Sequence, residues 1–456
     1  MAGIGFELRK LLRRDTFSGL MMAYAYAGVI SSGPWVLSIV AVLIIGVFSV
    51  PVVIPPDLVR QFQTILTTII AASLILSGLV QLSFTRYCAD RIFKKEHGLL
   101  LPNLNGLLLL VNVSAAVLAI PLVVFVFPGL SLLLRLLIVA SFVTVCNVWI
   151  GTILLSGLKA YKAILFNFLL GYGSALVLAW GLRHWDLEGL LLAFLIGQFL
   201  LFKGMLYVVY QGYPSRHFIQ FDFLRSGRMY LSLVFTGFFY NIGIWIDKIV
   251  FWYHPWTSEP VVGVLRGSPI YDLPVFIAYL AIIPGMAVFL MRIETDFVEY
   301  YDRFYDAVRE GGSLGYIQEM KDEMVRITRD GIYDIMKIQG IVILLVVVVG
   351  GTLLQWAGIS RIHLPLLQIQ VVATGFQVVF LGLLNVFFYL DRRNRVLLLT
   401  CLFMVLNGLL SWLSIQLGPF FYGYGFALSL VIAVSVGMVL LDRDLERLEY
   451  ETFMLQ

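Results

Sequence analysis

Long apolar stretches dominate this sequence, and each is about as long as the 20 residues that an α-helix needs to cross a bilayer. A hydropathy window of about 19 residues finds twelve such stretches, six before and six after a polar interval at 211–228. The sequence therefore predicts an all-α polytopic membrane protein whose twelve transmembrane helices form two six-helix lobes. The stretches lie near 20–50, 61–83, 104–127, 131–156, 163–182, 188–210, 229–253, 272–291, 338–357, 365–390, 396–415 and 422–441.

Composition excludes several classes of protein. Hydrophobic residues make up 60% of the chain and charged residues 13%, against about 25% charged residues in soluble proteins, so a water-soluble globule is excluded. The net charge of +4, without a long basic run, does not favour binding to nucleic acid. The three cysteines and five histidines lie apart and lack ligand spacing, so we predict no metal site and no cofactor.

The distribution of Lys and Arg predicts the orientation of the chain, because cytoplasmic connections carry the excess of basic residues. With both termini placed in the cytoplasm, 26 of the 32 Lys and Arg residues fall on the cytoplasmic side. The chain then divides into an interfacial amphipathic helix at 1–19, a first lobe at 20–228, a second lobe at 229–441 and a cytoplasmic tail at 442–456. A helical cytoplasmic insertion at 292–337 interrupts the second lobe.

The insertion has the periodicity of two amphipathic helices, which a Gly311–Gly312 pair separates. In one interpretation the two helices extend the eighth and ninth spans and cover their cytoplasmic ends. In the other, they form a docking surface for a cytoplasmic partner. The predicted docking residues are Tyr301, Phe304, Met320 and Met324.

Charged residues within a span are costly and are therefore candidates for function. Asp247 and Lys248, in the seventh span, are adjacent and so about 100° apart on a helix, which predicts that they do not pair with each other. In one interpretation they lie near the outer end of the span, where Lys248 extends to the interface. In the other, they line a water-filled substrate pathway with Asn241 and Trp245.

Several aromatic side chains at mid-span depth or beside helix breakers are candidates for a sugar pathway, because sugars combine apolar CH faces with hydroxyl groups. Such a pathway would need little net charge. Packing at a helix kink is the alternative explanation. The candidates are Tyr24, Tyr26, Trp35 and Tyr279.

Gly and Pro interrupt the first and the eighth span. Pro34, which follows Gly33, and Pro284, which precedes Gly285, each remove a backbone hydrogen bond, so both helices are predicted to bend there. Broken helices often gate alternating access in transporters, and these four residues are our predicted gating positions.

Motifs for covalent chemistry are scarce, since neither a GxxxxGK[ST] loop nor an HExxH helix occurs. A membrane glycan polymerase would need a large outward loop that carries Arg, His or acidic residues. The largest outward connection, 254–271, has few of them. The sequence thus favours a transporter over an enzyme.

The opening MAGIGFELRKLLRRDTFSG, which runs into YAYAGVISSGPW, resembles the start of the PelG family of inner-membrane exporters of the Pel exopolysaccharide. The similarity extends along the chain and includes the twelve spans and the insertion before the ninth. This family is similar in architecture to the multidrug/oligosaccharidyl-lipid/polysaccharide flippases, whose two six-helix lobes enclose a central cavity. The resemblance implies export of an amino-sugar-rich polysaccharide across the inner membrane of a Gram-negative bacterium, in support of matrix and biofilm formation.

The resemblance also implies partners, namely a PelF-like cytoplasmic glycosyltransferase, a PelD-like cyclic-di-GMP receptor and a PelE-like membrane protein. It further implies that the polymer is largely N-acetylated and neutral in transit, which agrees with the scarcity of acidic residues in the spans. Two alternatives stay open: an ion-coupled flippase or exporter of lipid-linked oligosaccharides or drugs, and a membrane glycan polymerase. The energy source is either an ion gradient or the growth of the polymer.

Overall fold

Within a bilayer, every backbone polar group must find its partner inside the chain, which favours continuous helices. The computed structural model describes residues 24, 27–28 and 56–454, except 159, 226–229 and 357–359. In this part of the chain, eleven helical segments are long and apolar enough to cross a membrane. They coincide with the second to twelfth predicted spans, which confirms the prediction of an all-α polytopic membrane protein. The predicted interfacial helix at 1–19 lies outside the described residues.

The described chain between Pro56 and Tyr253 is helical apart from short connections. Three of those connections contain 3-10 turns, at His97–Leu99, Arg183–Trp185 and Asp222–Leu224. The helices are α1 (Pro56–Phe93), α2 (Leu100–Val126), α3 (Leu132–Gly157), α4 (Tyr161–Gly181), α5 (Asp186–Gly212) and α6 (Leu231–Tyr253).

A β-hairpin follows α6 and leads into the second half of the chain. Its antiparallel strands, β1 (Glu259–Val262) and β2 (Leu265–Gly267), place Glu259 opposite Gly267. Gly263 in the turn has a φ of +56°, a conformation that glycine adopts without steric cost.

The second half of the described chain is also helical, with 3-10 turns at Arg361–His363 and Pro419–Phe421. One six-residue stretch, Arg292–Phe297, is a π-helical turn, a rare conformation that frequently occurs at functional sites. The helices are α7 (Pro269–Leu280), α8 (Ile283–Met291), α9 (Val298–Arg309), α10 (Leu314–Trp356), α11 (Leu364–Tyr389), α12 (Arg393–Leu417), α13 (Tyr424–Glu446) and α14 (Leu448–Met454).

The predicted insertion is continuous with the two spans beside it. The π-helical turn joins α8 directly to α9, and α10 runs for 43 residues from the insertion through the ninth span. The two insertion helices therefore extend the eighth and ninth spans, which is the first of the two interpretations of their periodicity.

The chain divides into two compact units. The first unit contains the described residues of Pro34–Trp245 together with Trp252–Ser268. Within it, α5 packs against α3 and α4, and α1 packs against α3.

The second unit contains Ile246–Phe251, the chain from Pro269 onwards and the described residues before Gly33. Within it, α11 packs against α7, α10 and α13, and α12 packs against α13. Its apolar core includes a cluster of fully buried residues, namely Ala278, Leu354, Leu367 and Val371. This unit holds both of the charged residues that the sequence places within a span.

Candidate functional site

Asp247 and Lys248 form a buried ion pair in α6. The Lys248 Nζ atom lies 3.2 Å from each carboxylate oxygen of Asp247, and the two residues are 0% and 2% exposed. The prediction that these neighbours do not pair is wrong, because the long lysine stem folds back over the adjacent side chain. The interpretation in which Lys248 extends to the interface is also wrong, since the residue is buried.

Hydrogen bonds from other helices surround the Asp247 carboxylate of this ion pair. The Tyr271 hydroxyl on α7 donates to Asp247 Oδ2 over 2.8 Å, and in turn accepts from Gln370 Nε2 on α11, also over 2.8 Å. The Asn407 amide on α12 lies 3.4 Å from Asp247 Oδ1. The Asp247 carboxylate is thus held by groups from across the second unit. We call this set of residues the ion-pair cluster: Asp247, Lys248, Tyr271, Tyr279, Gln370 and Asn407.

Aromatic rings surround the Lys248 ammonium group. Its Nζ atom lies 3.4 Å from the Tyr279 hydroxyl, 5.1 Å from the centroid of the Tyr279 ring and 5.2 Å from that of Phe426. Cations are attracted to the negative faces of aromatic rings, and the attraction is stronger where water is absent. The lysine charge is therefore stabilised by one carboxylate, one hydroxyl and two rings.

The ion-pair cluster carries no net charge. A buried carboxylate needs a cation beside it, and here the lysine ammonium takes the place that a proton or a metal ion would otherwise occupy. Among the described residues, no group of three or more His, Cys, Asp or Glu side chains is placed to hold a metal ion. The cluster is thus built as a neutral, hydrogen-bonded assembly.

Of the other predicted pathway residues, the structure describes Asn241, Trp245 and Tyr24. Asn241 and Trp245 belong to the first unit, where the Asn241 amide donates to the Gly237 carbonyl over 2.8 Å. Trp245 is buried, with its ring centroid 6.1 Å from that of Trp252. Tyr24 is helical and half-buried. Tyr26, Gly33, Pro34 and Trp35 lie outside the described residues.

The eighth span is broken next to Pro284 and Gly285. Helix α7 ends at Leu280 and α8 begins at Ile283; across this break the Ala281 and Ile282 amides bond three residues back, to Ala278 and Tyr279, while the Ile282 carbonyl accepts from Met286 N–H of α8 over 2.9 Å. The Gln339 amide on α10 lies 3.4 Å from the carbonyl oxygens of both Ala281 and Ile282. A Cβ atom at Gly285 would occupy the position of that amide, so this glycine provides the space for it.

The described residues of the first span pack beside this break. A Cβ atom on Gly28 would lie 3.5 Å from the side chains of both Ile283 and Ala287. The helical segment around Gly28 therefore approaches α8 closely, immediately beside the Pro284–Gly285 pair. Since α8 is bounded by the break on one side and the π-helical turn on the other, it is a short helix held by its neighbours.

We expect Gln339→Leu to lower the free energy of unfolding by about 0.5–1.5 kcal/mol, because the half-buried carbonyls of Ala281 and Ile282 lose a shared side-chain donor. Thermal unfolding of the purified protein in detergent measures this effect. The matched control is Gln318→Leu, an exposed glutamine on the same helix, which should leave the transition unchanged. Equal transitions for the two variants would contradict the role of Gln339 at the break.

The predicted docking residues are mostly internal. Phe304, Met320 and Met324 are 0%, 6% and 0% exposed, in the region where α9 packs against α10. Tyr301 is half-buried, with its ring centroid 4.7 Å from that of Tyr305 and 5.6 Å from that of Tyr389. The three buried side chains hold the two helices together, and only Tyr301 offers part of its surface to a partner.

Sequence reasoning found Asp247, Lys248 and Tyr279 but missed the other half of the ion-pair cluster, namely Tyr271, Gln370 and Asn407. A signal was available on α11, where Gln370, Thr374 and Gln377 recur at intervals of four and three residues and are all buried. A second signal was on α12, where Asn407 and Ser411 are four residues apart and hydrogen-bonded to each other over 3.0 Å. Polar residues on one face of an apolar span indicate a buried polar partner.

One protein family matches nearly the whole sequence. The sequence profile of the exopolysaccharide exporter (EPS-E) family PelG matches residues 1–453. Among proteins with curated descriptions, none is similar enough in sequence to match.

Solved structures of transporters match the fold. An outward-facing multidrug resistance MATE transporter of the MOP superfamily aligns with a TM-score of 0.67 at 14% identity, covering 94% of this chain and 96% of its own. A MOP superfamily transporter from Pyrococcus furiosus, described as having a binding pocket of reverse polarity, aligns with a TM-score of 0.62 at 15% identity, covering 93% and 96%. A MATE protein in complex with MaL6 aligns with a TM-score of 0.62 at 13% identity, covering 93% and 97%. The fold is therefore that of the two-lobed MATE transporters.

Proposed function

Because this chain belongs to the PelG family of exopolysaccharide exporters, we propose that its cargo is an amino-sugar-rich polymer that is largely N-acetylated and neutral during its passage. The protein is a multi-pass transporter of the inner membrane and not an enzyme, since both the family and the fold are those of transporters. The family match over residues 1–453 carries the exporter function, because it covers nearly the whole chain.

The ion-pair cluster supports a neutral cargo. Its carboxylate and its ammonium group compensate each other at 3.2 Å, so neither is left to attract an ionic substrate. A passage for a charged polymer would gain from unpaired charges of the opposite sign along the spans. A passage for an N-acetylated polymer needs hydrogen-bonding and apolar surfaces instead.

The growth of the polymer is, in this proposal, what drives export. A cation-coupled exporter needs a carboxylate that alternately takes up and releases its cation. Lys248 is covalently part of the chain, so Asp247 needs no bound sodium ion to balance its charge. This arrangement counts against coupling to a sodium gradient at Asp247 and favours the push from polymerisation.

Both termini and the extensions of the eighth and ninth spans face the cytoplasm in this proposal, with the lobes divided as 20–228 and 229–441. The distribution of Lys and Arg supports this orientation. The proposed partners are a PelF-like glycosyltransferase that delivers the polymer, a PelD-like cyclic-di-GMP receptor and a PelE-like membrane protein. Their support is the family membership, which places the chain in an exopolysaccharide pathway.

The second candidate function is an ion-coupled flippase or exporter of lipid-linked oligosaccharides or drugs. The fold match to MATE transporters favours it, because that fold covers more than nine-tenths of this chain. The internal lysine counterion counts against it, for the reason given above.

Deletion of the gene in a bacterium that produces the polymer tests the proposed function. We expect extracellular polymer and biofilm matrix to be lost while polymer accumulates inside the cell, and expression of the full chain to restore secretion. The polymer that the glycosyltransferase makes inside the deletion strain is the control for synthesis. Undiminished secretion by the deletion strain would overturn the proposal.

A further inference from the structure

An open polar groove lies where the π-helical turn, α9 and α10 meet. Its volume is about 720 Å³, within the range of roughly 300–1,000 Å³ that small-molecule sites occupy. Four carboxylates, three basic side chains and two tyrosines line it, with Ile327 as the single aliphatic side chain of the lining. All of these residues belong to the second unit.

Ion pairs fix the polar groups of the groove in place. Arg292 lies at the centre, with its guanidinium 2.8 Å from Asp334 and 3.1 Å from Asp296. Lys337 Nζ lies 3.3 Å from the other Asp334 oxygen. These four side chains thus hold one another in place, and the lining as a whole, with four carboxylates and three basic side chains, carries nearly balanced charge.

Two tyrosines supply aromatic surface between these groups. Tyr333 on α10 is 57% exposed, which leaves much of its ring open to a ligand. The second ring, Tyr300 on α9, has the Arg303 guanidinium 5.2 Å from its centroid. An exposed ring beside fixed donors and acceptors suits a ligand that has both apolar CH faces and hydroxyl groups.

We infer that this groove binds a segment of the glycan polymer before translocation. Balanced charge argues against a polyanionic ligand, and the near absence of aliphatic side chains argues against an amphipathic helix of a partner protein. A neutral carbohydrate fits both conditions: its hydroxyls pair with the Arg292–Asp334–Lys337 array and its rings stack on Tyr333. The inference rests on the proposed function and locates the cargo at the predicted cytoplasmic end of the eighth and ninth spans.

Binding of the tetramer of β-1,4-linked N-acetylglucosamine to the purified full-length protein tests the inference. Isothermal titration in detergent should show saturable binding to the wild type, about tenfold weaker binding to Tyr333→Ala and a similar loss for Asp334→Asn. Tyr316→Ala is the matched control, because Tyr316 is also an exposed tyrosine of α10, at 44%, but does not line the groove. It should bind as tightly as the wild type, and an oligogalacturonate of equal length should bind to none of them.

Two results would overturn the inference. The first is a wild type that does not bind the tetramer, and the second is a Tyr333→Ala variant that binds it as tightly as the wild type. If that variant also loses a co-purifying glycosyltransferase, the groove is a protein-docking site instead. The proposed function is tested separately, by whether the wild type exports polymer.

Discussion

Replacement of Lys248 by methionine is expected to lower the free energy of unfolding by about 3–5 kcal/mol, because Asp247 would stay buried without its cation. Asp247→Asn should be similarly costly, since it removes the carboxylate that lies 3.2 Å from the buried ammonium group. Thermal unfolding in detergent, followed by size-exclusion chromatography, measures both. Lys203→Met is the matched control, because this lysine of α5 is exposed and its removal should cost little.

The double variant Asp247→Asn/Lys248→Met separates the two roles of the pair. Replacing a buried ion pair by neutral groups of similar volume is often nearly neutral for stability, so the double variant should recover most of what each single variant loses. Normal stability with full transport in the double variant would exclude the pair from the transport mechanism. A Lys248→Met protein that is as stable as the wild type would contradict the buried ion pair itself.

Replacement of Gly425 by alanine is expected to lower the free energy of unfolding by roughly 1–3 kcal/mol or more, because it overpacks a backbone contact. A Cβ atom at this position would lie within 2.6 Å of backbone atoms of Leu410 and Ser411, and backbone cannot rotate away as a side chain can. Helices α12 and α13 would have to separate. Since Ser411 hydrogen-bonds Asn407, the shift would also reach the ion-pair cluster.

Gly340→Ala is the control for Gly425→Ala. A Cβ atom at Gly340 meets nothing within 4 Å, and alanine favours the helix more than glycine does, so this variant should be at least as stable as the wild type. The same thermal measurement serves both. A Gly425→Ala protein that unfolds together with the Gly340→Ala control would contradict the close approach of α12 and α13.

The helical layout could be predicted from the sequence because the bilayer imposes a length and a composition on each span. Periodicity also predicted the insertion helices, and Ile317, Met320 and Met324 lie buried on one face of α10, but their continuation into the ninth span was only one of two open interpretations. The π-helical turn was not predicted. Its Glu294 carboxylate accepts from the Tyr389 hydroxyl over 2.9 Å, a contact with a helix some 90 residues away that no local pattern reveals.

The candidate site was only partly predictable for a similar reason. Asp247 and Lys248 stood out because charges within spans are rare. The pairing of these two side chains was not predicted, because helical spacing fixes where each side chain begins and not the direction in which a long lysine side chain extends. Tyr271, Gln370 and Asn407 come from three separate helices, and only the packing of the second unit brings Tyr271 and Asn407 to one carboxylate and Gln370 to the Tyr271 hydroxyl.

Reconstitution tests the exporter function most directly. The full chain is placed in vesicles with the cytoplasmic glycosyltransferase outside, a labelled sugar nucleotide is added, and the polymer that resists an added glycosidase is measured. We predict protected polymer inside vesicles that contain the transporter, at a level unchanged by an uncoupler, and none in vesicles that lack it. Polymer that stays fully accessible to the glycosidase in the presence of the transporter would contradict the account.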